Sequence, residues 1–83
     1  MTTVRLLTRR QREVLLLAAN GNTAGHTAHW LGVSVHTVNE TLVRAYRALG
    51  VHDRAQAVAV ALKLGEFGLD DIHAPITEQQ PTA

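Results

Sequence analysis

The chain has 83 residues, 46% of them apolar, and no cysteine, which leaves room for one small domain and excludes a disulfide framework, a thiolate metal site and a thiol nucleophile. The net charge is only +1, but it is unevenly placed: residues 1–47 carry six arginines against Glu13 and Glu40, a balance of +4, whereas residues 48–83 carry Arg54 and Lys63 against five acidic residues, a balance of −3. The first half therefore suits a polyanion and the second does not. No apolar run approaches the roughly 20 residues that span a bilayer, and the N-terminus lacks a signal-peptide apolar region, so the expected compartment is the cytoplasm.

The first predicted helix covers residues 9–20. Thr8-Arg9-Arg10-Gln11 has the spacing of a capping box, and Asn20-Gly21 ends the run because glycine tolerates a left-handed conformation. Arg9, Arg10 and Arg12 place positive charge against the positive end of the helix dipole, an arrangement that a nearby anion would relieve. A second segment, 24–31, is expected between an N-cap at Thr23 and Gly32, with Trp30 as a packing residue. Gly25 inside it costs about 1 kcal/mol relative to alanine.

The third helix is predicted over 35–49, capped by Ser34 and closed by Gly50. Gly32-Val33-Ser34 is a short glycine-containing turn of the kind that lets two helices cross steeply. Val38, Leu42, Ala45 and Leu49 recur at helical spacing and form the buried face. The other face presents His36, Asn39, Glu40, Val43 and Arg47, with Arg44 at its edge. In a helix-turn-helix that outer face enters the major groove. There, Asn39 can read adenine through its amide, Glu40 can accept from cytosine N4, and Val43 can touch a thymine methyl.

Asp53-Arg54-Ala55-Gln56 repeats the capping-box pattern with aspartate as the cap, opening a fourth helix over 54–64 that Gly65 closes. This helix is apolar nearly all round. Val58 and Leu62 are expected in the core, while Ala57, Val60, Ala61 and Leu64 form a second stripe expected to meet a copy of itself. Phe67, Leu69 and Ile72 are candidates to fold back onto the core. Residues 73–83, rich in Pro, Thr, Gln and Ala, are expected to form a disordered tail beyond a domain at 1–72.

The landmarks Leu7-Thr8-Arg9-Arg10-Gln11-Arg12-Glu13-Val14-Leu15, Ala28-His29-Trp30-Leu31-Gly32-Val33-Ser34, Thr37-Val38, Leu49-Gly50-Val51-His52-Asp53-Arg54 and Ala57-Val58 resemble, in order and spacing, the LuxR-type (GerE-type) DNA-binding domain. The similarity covers roughly residues 6–66. It implies an all-α, four-helix LuxR-type helix-turn-helix domain in which Val35, His36, Asn39, Glu40 and Val43 face base edges. It further implies that Thr37, Arg44 and Arg47 lie near phosphates, with the N-caps Thr23 and Ser34 completing the DNA-binding set, and that the last helix makes a two-fold dimer contact. The chain departs from the family pattern at Ala24-Gly25-His26-Thr27, where Thr27 replaces a core aliphatic and a looser corner is expected. It departs again on the third helix, with Asn39 for a frequent lysine, Thr41 for a common histidine, and the added charge of Glu40. Each lost phosphate contact weakens binding and flattens its salt dependence.

Catalytic and metal constellations are not expected. His26 and His29 are three apart on a helix, but no carboxylate is spaced to complete a site with them. No phosphate loop or Ser–His–Asp arrangement occurs. The expectation is a bacterial, nucleoid-associated transcriptional regulator rather than an enzyme, without a cofactor, binding double-stranded DNA as a homodimer. Only Met1–Leu7 precede the module, so no built-in sensor is expected. The alternative is an interaction module for RNA polymerase, a sigma factor or another regulator.

Overall fold

The computed structural model describes residues 5–73. It contains α1 (Arg9–Ala19), α2 (Ala24–Leu31), α3 (Val35–Leu49) and α4 (Arg54–Leu64), followed by a 3-10 turn at Leu69–Asp71. The four expected helices are present, with bounds differing by one residue at the end of α1. Met1–Val4 and most of the expected tail, residues 74–83, lie outside the described residues. His73 is within them, and its backbone N–H donates to Asn20 Oδ1.

The helix ends follow from local chemistry. The Thr8 hydroxyl accepts from the Gln11 amide at 3.1 Å, and Gln11 Oε1 accepts from the Thr8 amide at 3.0 Å, so two otherwise unpaired donors are satisfied together. Asp53 caps α4 by accepting from the Gln56 amide at 2.8 Å, but Gln56 Oε1 reaches the amide of His52, one residue early, at 3.3 Å. The reciprocal box expected there is therefore displaced. Gly32 and Gly50 end α2 and α3 at φ of 72° and 73°, a left-handed conformation that glycine adopts without steric cost. The following amides close the turns, Val33 onto the Ala28 carbonyl at 3.0 Å and Val51 onto the Tyr46 carbonyl at 2.9 Å.

Both α1 and α2 pack on α3, and α4 closes against α1 and α3. The core joins Val14, Leu15 and Ala18 of α1 to Val38, Leu42 and Ala45 of α3, with Leu7 and Phe67 buried in the same cluster. Ala45, Ala57 and Ala61 are fully buried; small side chains let the helices approach closely. This corrects the expected dimer stripe. Ala57 and Ala61 lie on the face that α4 turns to its own core, where they cannot touch a second copy. Val60, partly buried, and Leu64, 45% exposed, remain available on one flank. Val58 and Leu62, expected in the core, sit at its margin on the other flank. Of the segment after α4, Phe67 is buried and Ile72 packs against the core, but Leu69 is 76% exposed.

The second helix is continuous through Gly25, and Thr27 is buried in the place of the expected aliphatic. Trp30 does not pack as expected: it is 78% exposed. A Cβ built on Gly25 meets only Thr23 Oγ1, at 3.9 Å. Gly25→Ala is therefore expected to stabilise the domain by roughly 0.5–1 kcal/mol. A thermal melt shows this as a rise of a few degrees, and a fall would reveal a contact that the backbone hides.

Candidate nucleic-acid interface

The glycine turn sets α2 and α3 so that both N-caps are exposed. Thr23 accepts from the His26 amide at 3.0 Å at the head of α2. Ser34 accepts from the Thr37 amide and donates to the Thr37 hydroxyl, each at 3.0 Å, at the head of α3. Because Val38, Leu42 and Ala45 anchor α3 in the core, the opposite face is forced outward.

That face carries His36, Asn39, Glu40, Val43, Arg44 and Arg47 around one shallow concavity. Val35 and Val43 are about half-exposed, at 46% and 50%. Thr37, Asn39, Arg44 and Arg47 are also exposed. All ten residues expected to contact DNA thus lie at the surface, eight of them on α3. Among the described residues, neither Arg44 nor Arg47 enters an ion pair. Two unpaired guanidiniums on a helix face favour an anion there.

Two features of this face were not legible from its residue types. The Thr41 hydroxyl donates to the Thr37 carbonyl one turn earlier, at 2.7 Å, so it is turned onto its own helix. The Glu40 carboxylate lies 3.5 Å from His36 Nε2, with the side chains 50% and 81% exposed.

The arginines of α1 are disposed differently. Arg10 pairs with Glu13 at 3.4 Å, both well exposed, a contact of small energetic weight. Arg12 turns inward to Glu66, whose side chain is only 1% exposed. The anion needed beside Arg12 is therefore internal to the fold. Its signal was absent from local patterning, because the partners stand 54 residues apart. Among the described residues no three His, Asp or Glu side chains gather as a metal site, and no helix is long and apolar enough to cross a membrane.

Comparison with known proteins agrees with this geometry. Residues 5–61 match the family described as bacterial regulatory proteins, luxR family. The chain is similar to the spore germination protein GerE of Bacillus subtilis (strain 168), 41% identical over 64 residues that make up 77% of this chain and 86% of that protein. It is also similar to the probable transcriptional regulatory protein SgaR of Hyphomicrobium methylovorum, 43% identical over 58 residues, 70% of this chain and 28% of that one. Among solved structures it resembles the Vibrio cholera VqmA–ligand–DNA complex with a TM-score of 0.66 and 33% identity, covering 78% of this chain and 29% of that chain. The chain thus spans most of GerE and less than a third of SgaR or VqmA.

Proposed function

The chain belongs to the luxR family of bacterial regulatory proteins, and from that premise we propose that it controls transcription by seating α3 in the major groove of duplex DNA. The observation that carries this reading is the outward face of α3, where Asn39 and Val43 share one concavity with Arg44 and Arg47, neither of which enters an ion pair among the described residues. Arginine holds phosphate, and the amide and methyl groups read base edges. The exposed N-caps Thr23 and Ser34 complete the surface, since helix N-termini present amides to phosphates.

We further propose that the domain binds as a homodimer on a partly palindromic site, through the flank of α4 that keeps Val60 and Leu64 outward. A two-fold protein reads two half-sites about one helical turn apart.

A mobility-shift titration at several salt concentrations tests the reading. Binding is expected to weaken steeply with salt, and no binding even at low salt would overturn it. Asn39→Ala is expected to relax the preference for adenine at one position of each half-site at a cost of about 1–3 kcal/mol. Unchanged affinity and site preference would remove Asn39 from the readout. Sedimentation that found a monomer both free and on DNA would end the dimer proposal.

A further inference from the structure

We propose that Glu40 selects a base whose major-groove edge offers an amino group, cytosine above all, and that His36 positions its carboxylate. This rests on the reading of α3 as the DNA-facing helix and assigns a role to the one residue on that face whose charge opposes DNA.

A carboxylate accepts hydrogen bonds and donates none. In the major groove, guanine presents only the acceptors N7 and O6 and thymine the acceptor O4, whereas cytosine presents the N4 amino donor and adenine the N6 amino donor beside N7. Glu40 therefore repels a guanine or thymine edge and accepts from an amino group. Asn39, its neighbour, matches both N6 and N7 of adenine, which leaves cytosine as the distinct partner of Glu40.

The carboxylate has a neighbour on its own helix: His36 Nε2 lies 3.5 Å from Glu40 Oε2 across one turn, with both side chains well exposed. An imidazole N–H donated to Oε2 holds that oxygen and leaves Oε1 to accept from a base.

The other charged groups on the same face of α3 are Arg44 and Arg47. Among the described residues, neither forms an ion pair with His36 or Glu40.

Binding-site selection from randomised duplexes, run on the unmodified protein and on Glu40→Gln, is the experiment. The unmodified protein is expected to prefer cytosine about tenfold at one position of each half-site. Glu40→Gln, which adds a donor and removes the charge, is expected to lose that preference alone while binding random DNA more tightly. The same selection run on His36→Ala is expected to weaken the cytosine preference while leaving the melting temperature unchanged. The same base at every position in Glu40→Gln overturns the readout, and an unaltered cytosine preference in His36→Ala overturns the positioning role. Failure of the unmodified protein to bind any duplex is a different result, and it overturns the DNA reading itself.

Discussion

Replacing Arg12 with methionine is expected to destabilise the domain by about 3 kcal/mol, although the residue lies on the surface-facing first turn of α1. The reason is the carboxylate it leaves behind. Glu66 Oε2 accepts from the Leu6 amide at 2.6 Å and Oε1 faces Arg12 Nε at 3.4 Å, while the guanidinium also donates to the Leu7 carbonyl at 3.1 Å. Arg5 adds a donation to the Glu66 carbonyl at 2.9 Å. Methionine keeps much of the volume of Arg12 but removes the cation that faces the buried Glu66 carboxylate. Uncompensated buried charge is costly, and the cost exceeds the favourable energy of the pair itself. In a domain of this size the melting temperature is expected to fall by roughly 10–20 °C.

A double-mutant cycle with Glu66→Leu checks the cause. The double variant is expected to melt above Arg12→Met alone, because the stranded charge is gone. If the two losses simply add, Arg12 and Glu66 are not coupled, and the penalty belongs to the packing of the arginine stem.

The second large effect lies on the outward face of α3. Changing Arg44 and Arg47 together to alanine is expected to lower duplex affinity by about 100-fold near 0.1 M salt and to flatten the slope of log K against log salt by about 2. Both guanidiniums are exposed and unpaired among the described residues, so removing them costs the fold little while two phosphate contacts are lost. Lys63→Ala, which removes an exposed charge from α4, is expected to leave the slope unchanged. Fluorescence anisotropy on one duplex across a salt series separates the outcomes. An unchanged slope in the double arginine variant would mean that α3 does not carry the phosphate contacts.

The helix boundaries were legible because each is decided within a few residues. Thr8 with Gln11, Ser34 with Thr37, and the left-handed Gly32 and Gly50 all act through bonds spanning three to five positions. The outward face of α3 was legible for a related reason: Val38, Leu42 and Ala45 fix its phase, and everything opposite them must meet solvent.

α4 was harder because alanine and valine populate its whole circumference. A small apolar side chain suits a core and a contact surface alike, so periodicity could not tell Ala57 and Ala61 from Val60 and Leu64. Only the neighbours α1 and α3 decide which stripe is inside. Trp30 failed for the converse reason. Its apolar mass suggested burial, but its place on α2 gives it solvent on most sides. The link between Arg12 and Glu66 left no local mark at all, because it depends on how two distant segments meet.

That meeting has a consequence for how the domain opens. Leu6, just before α1, and Glu66, just after α4, are joined by a direct bond, so the start of the first helix and the end of the last are held side by side. Fraying at one is thereby tied to fraying at the other: lifting the segment before α1 strips the Glu66 carboxylate of a donor, and lifting the segment after α4 frees Arg12. The two ends of the helical bundle are expected to open together, as one cooperative unit, rather than separately.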